Sequence, residues 1–131
     1  MPARVADASV LAAWFFDEPH RDAAGALLKG FELYAPDLLV YELANVAWVK
    51  SRRMPGRIKE IAEALSDAMA FDISTLPVDA AELLDISRGL GITAYDAAYV
   101  EVARRIGCSL VTFDRQLARA ALAVGLKVPT R

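Results

Sequence analysis

Short apolar segments of strand length alternate with segments of helical periodicity along the whole chain. The segment CSLVTF (108–113) is the clearest strand, and TAYDAAYVEVARRIG (93–107), which precedes it, has the spacing of a helix. Strands that alternate with helices predict parallel pairing, because two parallel strands need a long crossover connection. The chain is therefore predicted to be an α/β protein with a mostly parallel central sheet and helices on both faces.

The predicted elements cover nearly all of the chain, with no linker or repeat, so residues 1–131 are expected to form one domain. The predicted strands are residues 4–7, 32–36, 71–78 and 108–113, with 126–128 as a last edge strand. The predicted helices are residues 9–18, 20–30, 37–53, 56–70, 79–91, 93–107 and 114–125. Pro19 limits the first helix and Gly30 stops the second.

Composition narrows the classes of protein and partner. Hydrophobic residues make up 56% of the chain, so some apolar surface is expected to meet a partner. The net charge of -2 argues against a generally basic nucleic-acid binder, so any nucleic acid would have to meet a local basic patch. One cysteine excludes an intramolecular disulfide. Without a signal peptide or an uncharged run of about 18 residues, a soluble, cytoplasmic protein is expected.

Four acidic residues occupy positions where a parallel sheet gathers functional groups. Asp7 and Asp114 follow predicted strands, Asp96 lies near the start of a predicted helix, and Glu42 lies inside another. Because ligands of open parallel sheets bind at the carboxyl ends of the strands, Asp7 and Asp114 are expected to project from the same edge. Asn45 follows Glu42 by three residues, on the same face of the helix. Because these two polar side chains lie in an apolar segment, they are expected to face a polar site and not the core.

Each aspartate also has a simpler explanation as part of a helix cap. Asp7 or Ser9 can cap the first helix, Asp114 can cap the last, and Thr93 with Asp96 resembles a capping box. Taken singly, capping is the commoner role. The fourth acid lies past the first turn of its helix, so its alternatives are an exposed position or a salt bridge. The joint placement of all four acids favours a shared site.

The helix 93–107 also predicts a buried stripe of its own. Tyr95, Tyr99, Val102 and Ile106 recur at helical spacing. The acid at position 96 is one residue off this stripe, so it is expected at the margin of the core.

Carboxylates that lie close together repel one another, and burial raises their pKa values. A hard divalent cation removes both penalties, and Mg²⁺ and Mn²⁺ take oxygen ligands while keeping several waters. Zinc is disfavoured because only His20 and Cys108 offer softer ligands, and no Cys–His pair or Ser–His–Asp triad is indicated. Such an ion can generate hydroxide and stabilise phosphoryl oxygens.

The four acids lie in the segments VADASV (5–10), YELANV (41–46), TAYDAAYVEVA (93–103) and LVTFDRQL (110–117). In this order, these segments resemble the four acidic motifs of the PIN-domain ribonucleases, and most closely the VapC-like toxins of type II toxin–antitoxin pairs. The resemblance implies a three-layer α/β/α sandwich and an endoribonuclease that depends on Mg²⁺ or Mn²⁺. Such an enzyme hydrolyses RNA phosphodiester bonds with a metal-activated water and is bound by a cognate antitoxin.

The resemblance also implies a set of site residues. The catalytic and metal-binding acids are Asp7, Glu42, Asp96 and Asp114, and the polar companions are Ser9, Asn45 and Thr112. We expect the three aspartates to hold the principal ion, partly through water, and Glu42 to bind a second ion or position the attacking water. The hydroxyls of Ser9 and Thr112 are expected to orient carboxylates. Asn45 is expected to contact phosphate or steady Glu42.

A basic cluster surrounds the turn that follows the helix 37–53, and it consists of Lys50, Arg52, Arg53, Arg57 and Lys59. Lys50, Arg52 and Arg53 are candidate RNA contacts, because basic side chains can follow a phosphate backbone. The alternative is that they complement the dipole at the carboxyl end of their helix.

Exposed aromatic surface predicts self-association. Tyr41 and Trp48 lie seven residues apart on a face of their helix that differs from the Glu42 side, and three adjacent aromatics (14–16) cannot all face one core. A homodimer with an isologous interface is therefore expected.

Two other functions are compatible with an α/β fold of this size. One is a binding or regulatory module without catalysis, and the presence of all four acids argues against it. The other is a receiver-like domain that uses one aspartate for phosphoryl transfer. The sequence Ala6-Asp7-Ala8-Ser9 argues against this, because it places no second acid beside Asp7.

Overall fold

The computed structural model describes residues 2–130. Its parallel sheet has the strand order β3-β2-β1-β4, with strands β1 (Ala3–Ala6), β2 (Glu32–Pro36), β3 (Ile73–Leu76) and β4 (Ser109–Val111). The helices are α1 (Ala8–Phe15), α2 (Arg21–Leu28), α3 (Leu39–Arg53), α4 (Ile58–Ala70), α5 (Ala80–Leu90), α6 (Ala94–Ile106) and α7 (Arg115–Ala123). A 3₁₀ turn (Pro55–Arg57) precedes α4. The predicted three-layer α/β/α sandwich is confirmed.

The centre of the sheet brings two strand ends together. Strand β1 lies between β2 and β4, and its residue Val5 pairs with Leu110. Val5, Ala6, Leu110 and Val111 are fully buried, as expected where helices cover both faces of a parallel sheet. The backbone N–H of Asp7 donates to the carbonyl of Val111 at 3.2 Å. The residues that follow β1 and β4 therefore lie side by side at the carboxyl edge.

Helix α6 packs across the sheet against β1, β2 and β4, and its residues 97–103 are all buried. The predicted stripe is therefore only part of a helix that is enclosed on all sides over two turns. Tyr99 and Val102 are buried and Ile106 is half-buried, but Tyr95 is 69% exposed, so that prediction is wrong. Tyr95 lies in the first turn, before the segment that the sheet encloses.

One predicted boundary and one predicted strand are wrong for backbone reasons. Helix α1 ends at Phe15 rather than at residue 18, because Asp17 adopts a left-handed conformation with φ of 54°. The segment 126–128 is not a strand, although the N–H of Leu110 donates to the carbonyl of Lys127 at 3.0 Å. Pro129 has no N–H with which to continue a ladder.

Arg4 lies within β1, and its guanidinium has partners outside the sheet. It donates to the carbonyl of Leu27 at 2.8 Å, in the last turn of α2, and lies 3.6 Å from the centroid of the Phe31 ring. The stem of Arg4 therefore covers apolar surface while its charge meets a helix carboxyl end.

The aromatic residues differ in exposure. Trp14 and Phe15 both contact Phe71 edge-on, with ring centroids 5.0 and 5.3 Å apart, so these two side chains are half-buried inside the protein. The expectation that they add exposed surface is wrong, because the segment after α4 covers them. On α3, in contrast, Tyr41 is 77% exposed and Trp48 is 55% exposed. Among residues 2–130, no helix combines the length and apolar character needed to cross a membrane.

Candidate active site

The Asp7 carboxylate is 6% exposed and lies where β1 meets α1. Its Oδ1 accepts hydrogen bonds from the backbone N–H groups of Ser9 (3.1 Å) and Val10 (3.3 Å) and from the Ser9 hydroxyl (2.6 Å). Its Oδ2 accepts one from the Thr112 hydroxyl at 2.6 Å. Asp7 therefore caps α1, but Oδ2 keeps a second acceptor position for another ligand.

The Ser9 and Thr112 hydroxyls each join Asp7 to the segment after β4. While donating to Asp7, Ser9 Oγ accepts from the N–H of Phe113 at 2.9 Å, and Thr112 Oγ1 accepts from the N–H of Asp114 at 2.9 Å. The hydrogen bonds that orient the Asp7 carboxylate therefore also fix the backbone that carries Asp114.

Asp114 and Asp96 relate differently to their helices. Asp114 caps α7, because its Oδ1 accepts from the N–H groups of Gln116 (2.8 Å) and Leu117 (3.3 Å), and the residue is exposed. Asp96 is not a cap: Thr93 caps α6 and its hydroxyl accepts from the Asp96 N–H at 3.2 Å. Within residues 2–130, the Asp96 carboxylate and Asp114 Oδ2 accept no hydrogen bond, so these oxygens are open to a ligand.

Sequence reasoning assigned Tyr99 to the core and missed its contact with Glu42. The Tyr99 hydroxyl donates to Glu42 Oε1 at 2.5 Å, and the tyrosine is only 2% exposed. Burial, followed by the nearby Glu42 carboxylate, raises the pKa of Tyr99, so the phenol keeps its proton. A signal did exist, because a buried tyrosine hydroxyl normally has a polar partner. Asn45, expected to steady Glu42, is exposed and forms no side-chain hydrogen bond in the described part of the chain.

The charges of the four acids act on one another in pairs: Asp114 raises the pKa values of Asp7 and Asp96, and Asp7 and Asp96 raise the pKa of Glu42. We call these four residues the acid ring. Burial raises the pKa of Asp7; its hydrogen-bond donors act in the opposite direction, and the Asp114 charge adds to the rise. Burial raises the pKa of Glu42; the hydrogen bond from Tyr99 lowers it, and the charges of Asp7 and Asp96 raise it further. Burial and the Asp114 charge raise the pKa of Asp96. A bound cation would therefore stabilise the ionised forms of the acid ring.

The donor atoms of the acid ring suit a hard cation. In residues 2–130, no group of three or more His, Cys, Asp or Glu side chains is arranged to hold a metal ion by itself. Mg²⁺ does not require such a group, because it binds through one or two carboxylates and keeps several waters. Softer ligands are few: Cys108 precedes β4, at the opposite edge of the sheet, and the exposed His20 lies against Phe113, beside the site, with ring centroids 5.4 Å apart. The donor atoms of the acid ring are all carboxylate oxygens, which fit Mg²⁺ or Mn²⁺ better than zinc.

The basic residues near the end of α3 are less free than the sequence suggests. Lys50 pairs with Glu18, with 3.2 Å between Nζ and Oε2. The Arg52 guanidinium lies 5.0 Å from the centroid of the exposed Trp48 ring. Arg53 is exposed and has no salt bridge within residues 2–130. Arg52 and Arg53 therefore offer open positive charge, whereas Lys50 would first have to leave Glu18.

Comparison with known proteins identifies the family. The model of the PIN domain matches residues 4–122, a range that contains the whole acid ring. The chain belongs to the PIN-domain family. Within that family it is 39% identical over 119 residues to ribonuclease VapC3 of Pyrobaculum aerophilum, covering 87% of this chain and 91% of the relative. The predicted resemblance to VapC-like PIN domains is confirmed.

Two solved structures share the fold. The crystal structure of PAE2754 from Pyrobaculum aerophilum superposes with a TM-score of 0.75 and 27% identity, covering 97% of this chain and 89% of that one. The structure of VapC20 from Mycobacterium tuberculosis, described as a sarcin–ricin loop cleaving toxin, gives a TM-score of 0.66 at 16% identity, covering 95% and 96%. At that identity the second likeness shows the fold alone.

Proposed function

We propose that the protein is a divalent-metal-dependent endoribonuclease and the toxin of a toxin–antitoxin pair. The acid ring at the carboxyl edge of the sheet carries the proposal. RNA hydrolysis at a cluster of four carboxylates agrees with the name of a relative, ribonuclease VapC3. When bound, Mg²⁺ or Mn²⁺ would activate a water and neutralise charge on the phosphoryl oxygens.

Each acid has a proposed role that follows from its free oxygens. Asp7, Asp96 and Asp114 hold the principal ion, directly or through water. Asp7 and Asp114 use acceptor positions that helix capping leaves available, and Asp96 uses a carboxylate that caps no helix. Glu42 binds a second ion or positions the attacking water. The hydroxyls that bond to Asp7 keep its carboxylate in one orientation before the ion arrives, so little reorganisation is needed.

The surfaces proposed for RNA and for a second copy adjoin on α3, where Arg52 lies over the Trp48 ring. RNA phosphates are contacted by Arg52 and Arg53, by Lys50 after it leaves its ion pair, and by Asn45 on the same helix as Glu42. A cognate antitoxin covers exposed apolar surface and directs an Arg or Lys toward the acid ring. A second copy of the chain covers the exposed aromatic face of α3. A protein that cleaves RNA under the control of an antitoxin would act in the cytoplasm.

The decisive experiment is cleavage of a fluorescent RNA by the purified protein in Mg²⁺, in Mn²⁺ and in EDTA. We expect cleavage in either metal and none in EDTA. Asp7→Asn should be inactive, whereas Asp79→Asn, which changes an N-cap outside the acid ring, should be active. Cleavage that persists in EDTA would overturn the metal requirement. Metal binding without cleavage of any RNA would favour a binding module instead.

A further inference from the structure

We propose that Tyr99 is a positioning residue of the nuclease site, whose hydroxyl holds the Glu42 carboxylate in place for the ion or the attacking water. The inference deepens the proposed function and rests on it. Tyr99 donates to Glu42 Oε1 at 2.5 Å across 57 residues of sequence. Within the described residues, the Glu42 side chain accepts no other hydrogen bond, so its Oε2 is free.

The phenol joins two elements of the site. Tyr99 belongs to α6, two turns of which are enclosed by the protein, so its position is fixed by the core. Its hydroxyl donates to Glu42 on α3. The orientation of Glu42 is therefore tied to α6, the helix that also carries Asp96.

Packing explains the aromatic ring but not the hydroxyl. A phenylalanine would fill the same volume without bringing a polar group into the interior, and burying a hydroxyl is unfavourable unless it is hydrogen-bonded. The partner of this hydroxyl is a half-buried carboxylate beside two other acids. Without the phenol, repulsion from Asp7 and Asp96 would act on an unrestrained Glu42 side chain. The hydroxyl therefore serves the orientation of the carboxylate.

The test is a double-mutant cycle with wild type, Tyr99→Phe, Glu42→Gln and the double variant. Tyr34→Phe is the matched control, since Tyr34 is half-buried in β2 and its hydroxyl has no hydrogen bond among residues 2–130. Two quantities are measured: Tm as a function of Mn²⁺ concentration, which gives an apparent metal affinity, and kcat and KM for RNA cleavage. Circular dichroism in EDTA checks that each variant is folded.

Tyr99→Phe should weaken the apparent Mn²⁺ affinity and lower kcat by about 10-fold, as is typical when a residue supporting a metal ligand is lost. KM should be unchanged, and Tyr34→Phe should match wild type. In the Glu42→Gln background, Tyr99→Phe should have no further effect, because the residue acts through Glu42.

Three results would overturn the inference. Tyr99→Phe with the metal affinity and kcat of wild type would show that the hydroxyl positions nothing. Equal losses in both backgrounds would show that Tyr99 acts independently of Glu42. A wild-type protein with neither metal-induced stabilisation nor cleavage would overturn the proposed function itself, and that failure appears in the wild-type measurement alone.

Discussion

Replacement of Asp7 by Asn separates helix capping, which Asp7 performs in the structure, from its proposed binding of a metal ion. Asn caps a helix about as well as Asp, so α1 keeps the hydrogen bonds from the N–H groups of Ser9 and Val10. The substitution also removes a buried charge that lies in repulsive range of Asp114 and Glu42. In Asn the NH2 group cannot accept the hydrogen bond that Thr112 donates to Oδ2, so this loss opposes the relief of repulsion. In EDTA, Asp7→Asn should therefore be about as stable as wild type. In Mn²⁺ it should lose most of the stabilisation that the ion provides.

The expected size of the metal-induced rise in Tm follows from mass action and from the length of the chain. An ion at about 100 times its Kd stabilises the folded state by about 2.7 kcal/mol. For 131 residues, the average entropy of unfolding makes 1 kcal/mol equivalent to about 4 °C in Tm. Wild type should therefore gain about 10 °C in saturating Mn²⁺. If the variant binds about 100-fold more weakly, its gain at the same concentration falls to about 2 °C.

The assay is a set of melting curves in EDTA and across a Mn²⁺ titration, for wild type, Asp7→Asn and Asp114→Asn. Asp79→Asn is the matched control, because Asp79 caps α5 by accepting from the N–H of Ala81 at 3.2 Å and is not part of the acid ring. The control should keep the full metal-induced shift. If all four proteins show the same shift, Asp7 and Asp114 only cap helices and the ring is not a metal site.

Four further predictions test separate parts of the site. Glu42→Gln should lower the cleavage rate by about 100-fold or more, and a wild-type rate would remove Glu42 from the mechanism. The pKa of Asp7 is raised in the folded state, so in EDTA the folded protein should lose stability as the pH rises above 3.8, the ordinary pKa of an aspartate. Urea melts should show this loss in wild type and less of it in Asp7→Asn, and identical pH profiles would contradict it. Thr112→Val leaves Asp7 Oδ2 and the Asp114 N–H without their partner, so urea melts should show a loss of about 1–3 kcal/mol, and unchanged stability would contradict this. Light scattering at micromolar concentration should show a homodimer for wild type and a monomer for Trp48→Glu; a monomeric wild type would count against the dimer.

The fold could be predicted because its main signal is local. Alternation of strand-length apolar runs with helical segments determines the order of the elements and their parallel pairing. The errors arose where a single backbone conformation decided the outcome, as at Asp17, which ends α1, and at Pro129, which prevents a fifth strand. Helical periodicity also placed Tyr95 in the core, although burial of α6 depends on where the sheet lies along the helix.

The proximity of Asp7 and Asp114 could be predicted without any knowledge of contacts, since parallel strands end at a common edge. Side-chain pairing was not accessible in this way. The Tyr99–Glu42 hydrogen bond spans 57 residues and the Lys50–Glu18 ion pair spans 32. Periodicity identifies Tyr99 as buried but says nothing about its hydroxyl, and a cluster of positive charge in sequence does not show that Lys50 has a partner. The metal and catalytic roles of the acids stay predictions.

Helix capping and metal binding are not alternatives for an aspartate at the end of a parallel strand. In Asp114 both cap hydrogen bonds go to Oδ1, which restrains the side chain and leaves Oδ2 for a ligand. The partial positive charge of the helix N-terminus also offsets part of the cost of keeping a carboxylate ionised before a cation binds. Contrary to the sequence prediction, Glu42 lies in the first turn of α3, but within residues 2–130 its side chain accepts no backbone N–H, and Tyr99 restrains one of its oxygens instead. The same physical requirement, one oxygen held and one free, is thus met by a helix N-terminus in one case and by a buried phenol in the other.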